Sequence, residues 1–459
     1  MKKPRRPRIR SVKTAREAAA SALWRVYADG AYSHLALDAV LRQSSLSREA
    51  RKSASAIFYG SLQEHFSLSE EIETLTNKSL KKLDLAVVVL LRSALWQLHY
   101  SRQAEHAVVN EAVRLTKRWG FASAAGLVNA VLRRAQREGA DAFRQSKEAR
   151  TGFCSSLYEL FFHVLNSHEE VLRLGDAFRE NHGSFLRFRR GFEPEALKKE
   201  LAREGAIKPG FFQTDGVYFK SGGRALTDLP AYRRGAVIPQ GEAAMLPVQI
   251  LAPDAEDLLF DFCAAPGGKT LQMSEYLSGG RITAGELHAK RCRQMQEQLK
   301  AFGADDKVNV ICHDAAAPWP ETEKADKILA DVPCSGLGLI GSKPELSWHF
   351  EPEKIRKNLL PVQAGILDQA AAALKPGGLL MYSTCTLNPE ENEKQAERFL
   401  ADHPEFSAEP FGKRAADVTD KIRAPDPESG ETMAQGFLTL WPQRVSSEGF
   451  FLALFRKRT

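Results

Sequence analysis

The 459-residue chain is 43% apolar and 26% charged, the balance of an ordinary globular protein, which excludes a wholly disordered or collagen-like polymer. At about 100–200 residues per domain, two to four domains are expected, each able to bury a core. The net charge of +7 is mild but unevenly spread.

The excess begins at the N-terminus, where Lys2, Lys3, Arg5, Arg6, Arg8, Arg10, Lys13 and Arg16 all precede the first acid, Glu17. Such a block is either a solvated tail or an arm drawn to a polyanion, and residues 1–13 are read as a basic tail. No apolar stretch follows, so no secretory leader is expected. The longest apolar run, 85–91, is far short of the roughly 20 residues of a membrane span, so no membrane partner is expected.

Residues 14–140 read as a helical bundle. Val87, Leu91, Leu95 and Leu98 recur at helical spacing, as do Val128, Val131 and Ala135. Gly60, Gly120 and Gly139 mark stops or tight contacts. The charged stretch 141–150 reads as a linker. Over 150–235 the pattern mixes weak alternation at 185–190, a helix at 194–204 and a short strand at 216–220. With Arg187, Arg189, Arg190, Lys198 and Lys199 it predicts a small α+β module with a basic, RNA-binding surface.

From 236 to 459, strands and helices alternate as in a parallel sheet, predicting an α/β Rossmann-like domain. Short apolar strands are expected at 258–262, 282–284, 308–312, 327–330 and 379–383, with helices such as 288–302 and 363–374 between them. Lys375-Pro376-Gly377-Gly378 is expected to stop a helix and turn into the fifth strand. The runs 436–441 and 449–455 predict an antiparallel hairpin, and 403–435 a long surface loop.

The strand ends carry the candidate chemistry. The first runs into Asp261-Phe262-Cys263-Ala264-Ala265-Pro266-Gly267-Gly268-Lys269-Thr270, whose small residues let a backbone approach a ligand at a helix start. Glu286, 25 residues after Asp261, is placed to grip ribose hydroxyls, and Asp314 ends the third strand. A nucleoside-containing cofactor is expected. NAD and S-adenosylmethionine compete by pattern, and the missing G-x-G-x-x-G lowers NAD.

Of the six cysteines, Cys154, Cys263, Cys292, Cys312, Cys334 and Cys385, none pair at C-x-x-C spacing, so no metal site is expected. Reduced thiols in a cytoplasmic protein fit best. Asp331-Val332-Pro333-Cys334 ends the fourth strand and Ser383-Thr384-Cys385 the fifth. In the usual strand order both thiols face one crevice beside the cofactor. Cytosine methylation uses such thiols. A thiolate added to carbon 6 makes carbon 5 an enamine carbon that attacks a sulfonium methyl. Asp331 is placed to hydrogen-bond N3, and a second thiol can assist release. The residues alone do not choose between the two thiols.

Asp-x-Cys-Ala-Ala-Pro-Gly-Gly-Lys-Thr, Asp-x-Pro-Cys-Ser-Gly-x-Gly and Ser-Thr-Cys-Thr-x-x-Pro-Glu-Glu-Asn, in that order, resemble the RNA (cytosine-C5)-methyltransferase family of Nol1/Nop2/Sun type. Tyr59-Gly60-Ser61-Leu62, the stretch 91–98, His106-Ala107-Val108-Val109-Asn110-Glu111 and the stretch 127–133 resemble a NusB-like RNA-binding domain. Gly449-Phe450-Phe451 resembles the family's terminal strand. The fusion is similar to the bacterial 16S rRNA enzymes, which implies a 16S rRNA substrate and S-adenosylmethionine as cofactor; a monomer is expected.

The resemblance implies Cys385 as nucleophile, Cys334 in release and Asp331 on the base. DNA cytosine methyltransferases use a Pro-Cys thiol, which would point to Cys334 instead. It also implies that Cys263, Ala264, Ala265, Pro266, Gly267, Gly268 and Lys269 wrap the donor, with Glu286 on the ribose, Asp314 on the adenine side and Asp331 close by. Three stretches depart from the family pattern and are expected to touch RNA: Gln240-Gly241-Glu242-Ala243-Ala244, Gly341-Ser342 before Lys343-Pro344, and Leu186-Arg187-Phe188-Arg189. They leave open the same chemistry on tRNA or large-subunit rRNA. A non-catalytic RNA-binding assembly factor is the other alternative.

Overall fold

A computed structural model describes residues 4–9, 11–139, 143–180, 182–222, 224–412, 414, 416–423 and 426–459. Met1, Lys2, Lys3 and Arg10 of the basic tail, and Ala140, Asp141 and Ala142 at the start of the expected linker, lie outside them. The chain forms two compact units.

The first unit comprises 1–180, 222–224 and 340–350 and is helical. Its centre is the helix Leu85–Tyr100, buried along nearly its whole length because it is apolar on every side. Ala15–Asp29, Arg48–Gln63, His65–Thr76, Glu105–Arg118 and Ala125–Glu138 surround it. Thr14 and Ser47 cap their helices by accepting from the Glu17 and Ala50 amides. Gly60 is a tight contact, since a Cβ there would lie 2.1 Å from Trp96 Cε2. Gly120 and Gly139 end their helices at positive φ. The tail lies along this unit. Arg8 N donates to Trp119 O at 3.0 Å, Arg5 sits over the Phe121 ring, and Arg6 pairs with Asp29.

Two expectations differ here. The stretch read as a linker is packed over its described residues: Phe143 is buried, Arg144 pairs with Glu64, and Ser146 donates to Glu70 and caps the helix Lys147–Thr151. Two further helices, Ser155–Leu165 and His168–Arg179, belong to the same unit, so the module expected over 150–235 divides at about residue 180. Apolar residues such as Phe153, Phe161 and Phe178 cause this by packing edge to face. The stretch 340–350 is also built into this unit. Ser33 N donates to Glu345 at 2.9 Å, Cys154 N to Ser347 O at 3.1 Å, and Trp348 stacks on His65.

The second unit holds two sheets. The small one is antiparallel, built from β1 (Ser184–Phe188), β2 (Ala206–Pro209), β3 (Gly216–Lys220) and β4 (Val237–Pro239) in the order β2-β3-β1-β4. The helix Pro194–Glu204 packs on it through Leu197 and Leu201.

The large sheet contains β5 (Leu258–Asp261), β6 (Arg281–Glu286), β7 (Val308–Cys312), β8 (Ala325–Asp331), β9 (Leu374–Thr384), β10 (Phe406–Ala408), β11 (Phe437–Leu440) and β12 (Phe450–Lys457). Its order is β10-β12-β9-β8-β5-β6-β7, with β11 also on β12. β5 to β9 run parallel, and β12 lies antiparallel to β9. The first, fourth and fifth strands of the domain are therefore neighbours, as the usual order requires. Lys375–Gly378 does not precede the strand but lies inside β9, where the register with β8 shifts between Ala325 and Lys327. The expected surface loop 403–435 contains β10 and the helices Ala416–Arg423 and Pro427–Ala434, anchored by buried Phe406, Phe411, Ile422 and Met433.

Candidate active site

β5 is apolar up to Asp261, whose carboxyl is left beneath the glycine-rich turn at 1% exposure. Thr270 Oγ1 donates to its Oδ2 at 2.7 Å, while its buried Oδ1 has no partner. Burial pushes this carboxyl up to about 7 despite the Thr270 bond. The turn Cys263–Gly268 is tied to β6 by Ala264 N donating to Gly285 O at 2.9 Å. Gly267 has φ +102°, and a Cβ there would come within 3.1 Å of Met295 Cγ, so the turn demands glycine. Burial raises the Cys263 thiol well above its ordinary range, with Asp261, Asp331 and Glu286 adding to it.

Glu286 ends β6. It accepts from the His288 amide at 2.9 Å and pairs with Arg291 at 3.1 Å, and Arg291 also reaches Ala265 O at 2.7 Å. Asp314 follows β7 and accepts from Ala316 N at 3.0 Å. Three carboxylates thus stand at or just past the ends of three adjacent strands around the turn, one of them with an unpartnered buried oxygen. This donor set fits a nucleoside bearing a cationic group, as the sequence expects of the methyl donor.

Lys269 lies in the first turn of the helix Gly268–Ser274 and points to the end of β8, where its Nζ donates to Asp331 Oδ2 at 2.7 Å. Ser383 of β9 donates to Asp331 Oδ1 at 2.8 Å. Burial alone would lower the Lys269 ammonium, but Asp331, with Cys385 and Asp261 adding to it, outweighs burial and raises it. The ring of Phe450 lies 5.3 Å from Lys269 Nζ.

Cys334 and Cys385 follow the ends of β8 and β9, and their sulfurs are 3.4 Å apart. Their settings differ. Lys269 is within electrostatic reach of Cys385. Cys334 is raised well above the ordinary thiol range by its bond to Cys385 and by burial, with Glu391 and Asp331 adding to the effect.

The structure also brings in Glu391, a residue without a role in the sequence reading. Glu391 accepts from Ser335 N, Asn388 Nδ2 and Gln363 Nε2 at 2.8, 3.0 and 3.0 Å. Its signal was the Pro-Glu-Glu-Asn run that follows Cys385.

Two stretches expected to touch RNA do other work. Arg187 is 2% exposed and grips Glu275 at 2.7 and 3.1 Å, while its Nε donates to Gln240 Oε1 at 2.8 Å. Gln240 in turn donates to Gln272 at 2.7 Å. Gln272 and Glu275 lie on and just past the helix that carries Lys269, so these residues brace that helix from the small sheet. Glu242, in the same stretch, is buried and accepts from the Phe212 and Gln213 amides, both at 2.8 Å. The third stretch, at Gly341-Ser342, lies in the helical unit.

Among the described residues no helix is long and apolar enough to cross a membrane, and no group of three or more His, Cys, Asp or Glu could hold a metal ion. Residues 248–456 match the family model of 16S rRNA methyltransferase RsmB/F, and residues 13–137 match the NusB family. The chain is 33% identical over 440 residues to the probable ribosomal RNA small subunit methyltransferase B of Synechocystis, covering 93% of this chain and 95% of that protein. It is 30% identical to the protein of the same name from Bacillus subtilis, covering 96% and 98% of the two chains. The crystal structure of PH0851 shares the fold at a TM-score of 0.78 and 23% identity, over 98% of this chain and all of that one. The structure of NSun6 from Pyrococcus horikoshii with SFG has a TM-score of 0.57 at 23% identity, over 67% of this chain and 99% of that one. With relatives this similar along nearly their whole length, the chain belongs to the RsmB/F family of S-adenosylmethionine-dependent 16S rRNA methyltransferases, with a NusB-family domain ahead of its catalytic domain.

Proposed function

We propose that this protein methylates carbon 5 of a cytosine in 16S rRNA, with Cys385 as the covalent nucleophile. The observation that carries the reading is the pair of sulfurs 3.4 Å apart at the ends of adjacent strands, in unequal electrostatic settings. The Lys269 ammonium is within electrostatic reach of Cys385, whereas the bond to Cys385 and burial, with Glu391 and Asp331 adding to them, hold Cys334 as a thiol.

The Cys385 thiolate adds to carbon 6 of the ring, and the displaced electron pair moves toward N3. As charge builds on N3, a proton from the Lys269 ammonium passes through Asp331, which Lys269 and Ser383 hold at the same strand end, to N3, and the carboxylate then accepts from the N3–H. S-adenosylmethionine, when bound, supplies an electrophilic methyl group on a sulfonium; the turn 263–269, Glu286 and Asp314 would hold it. Carbon 5 takes the methyl, its own proton then passes to solvent, and N3 returns its proton to Lys269 through Asp331. The Cys385–carbon 6 bond breaks, restoring the aromatic ring and the thiolate, and Cys334 assists this release.

Cys385→Ala is expected to abolish methyl transfer, by at least about 10⁴-fold. Cys334→Ala is expected to accumulate a protein–RNA adduct that survives denaturation. The opposite pattern exchanges the two roles, and absence of any adduct defeats the covalent reading. Bisulfite sequencing of total RNA from cells with and without the gene identifies the target, and a lost signal in tRNA or large-subunit rRNA instead would move the substrate.

A further inference from the structure

Both cysteines are bracketed by one hydrogen-bonded cluster centred on Glu391, a fully buried carboxylate. Ser335 directly follows Cys334. Its amide donates to Glu391 Oε2 at 2.8 Å and its hydroxyl to Oε1. Gln363 donates both to Glu391 Oε2 and to the carbonyl of Pro333, at 3.0 Å each, so the residues on both sides of Cys334 are held. Thr386 directly follows Cys385, and its hydroxyl lies 2.7 Å from that of Ser335. Asn392 accepts from Thr384 Oγ1 at 2.6 Å and donates to Thr386 O at 3.0 Å, which holds both neighbours of Cys385. The backbone of Glu391 joins the cluster too, since Tyr382 OH of β9 donates to its carbonyl at 2.6 Å. The turn that carries the carboxylate is closed by Asn388 Nδ2 donating to Oε1 at 3.0 Å.

We propose that Glu391 is a positioning residue: through Ser335 and Thr386 it sets the separation of the two sulfurs, and thereby the rate at which the cysteine–cytosine adduct is resolved. This rests on the reading of Cys385 as nucleophile. The carboxylate suits the task because each of its oxygens faces an amide donor, from Asn388 on one side and from Ser335 and Gln363 on the other. A glutamine in its place must turn its NH₂ toward one of those donors, so Glu391→Gln preserves shape while breaking one arm of the clamp.

The test uses the full chain with 16S rRNA and S-adenosylmethionine, and follows two quantities. One is the fraction of protein trapped on RNA after denaturation during single turnover. The other is the rate at which glutathione disulfide converts the free protein to a Cys334–Cys385 disulfide, read by mass spectrometry. In that reaction the two thiols give up two electrons and two protons, and two molecules of glutathione are formed. Glu391→Gln is expected to slow methyl transfer by about tenfold or more, raise the trapped fraction, slow disulfide formation and leave the KM for S-adenosylmethionine unchanged.

Ser335→Ala keeps the amide bond to Glu391 but removes the hydroxyl bridge to Thr386, so it is expected to fall between Glu391→Gln and wild type. It carries the test if Glu391→Gln does not fold. Wild-type trapping and wild-type disulfide rates in the folded variants would overturn the proposal and leave Glu391 a structural residue. If Cys334→Ala also traps no adduct, the reading of Cys385 fails, while the disulfide rates still judge the clamp on its own.

Discussion

The small antiparallel sheet and the C-terminal ends of β5, β8 and β9 both gather charged or reactive side chains around the helix Gly268–Ser274. In the small sheet, Arg187 and Arg189 converge on Glu275 at 2.7 and 2.8 Å, and Gln240 links Arg187 to Gln272. At the large sheet's ends, Asp261 keeps an unpartnered buried oxygen, and two thiols face each other where no disulfide joins them. A buried ion pair with its hydrogen bonds satisfied fixes one packing arrangement. Buried groups left unsatisfied cost stability and are retained where something else binds them. The first region has the build of a brace, and the second that of the proposed site.

The sharpest way to break this contrast is Arg187→Ala. The Arg187 and Glu275 side chains are 3% and 5% exposed, so removing the arginine leaves a buried carboxylate with only Arg189 as cationic partner. The loss is expected to be about 3–5 kcal/mol in the stability of the second unit, read by denaturant unfolding. The slope of RNA affinity against salt is expected to stay unchanged. A small stability loss with a flatter slope would return Arg187 to the RNA surface and remove the brace.

The contrast also explains what was legible in the sequence. Strand ends, glycines and thiols were readable because parallel strands deliver their C-terminal residues to one crevice, whatever the intervening helices do. Asp261, Glu286, Asp331, Cys334 and Cys385 therefore fall where spacing placed them. Arg187 was misread because its partner Glu275 lies 88 residues away, and no local pattern reports such a pairing. A basic strand with paired charges and one with exposed charges have the same one-dimensional signature. The packed stretch after Phe143 and the helices within 403–435 escaped notice for a related reason. Their anchors are single aromatic or aliphatic side chains set among charged residues, too few to make a period.

Asp261 offers a finer test on the site side. Its carboxyl is pushed up to about 7 by burial, so the folded state holds this proton more tightly than the unfolded chain, where the carboxyl titrates near 4. Its contribution to stability is therefore present at low pH and lost as pH rises through that window, by up to about 1.4 kcal/mol per pH unit. Asp261→Asn is expected to flatten the fall in Tm between about pH 5 and pH 7 in the protein without ligand, and to weaken binding of the methyl donor. An unchanged pH profile would mean that the free oxygen of Asp261 is paired in solution, and the contrast between brace and site would lose its clearest member.

The smallest expected effect comes from Arg190, three residues beyond Arg187 and just past the end of the same strand. It is exposed, and its guanidinium lies 4.1 Å from the centre of the Tyr276 ring. Its backbone amide, which any substitution keeps, donates to Glu275 at 3.4 Å. Arg190→Ala is therefore expected to cost only about 0.5–1 kcal/mol, the worth of an exposed cation–π contact. If the basic face of this sheet meets RNA, Arg190 rather than Arg187 is the group able to reach a phosphate. Its removal should then lower the slope of log affinity against log salt by about one. Measured side by side, the two alanine variants separate the two uses of charge in and just past one strand: the buried arginine moves stability and leaves the salt slope alone, and the exposed arginine moves the salt slope at little cost in stability.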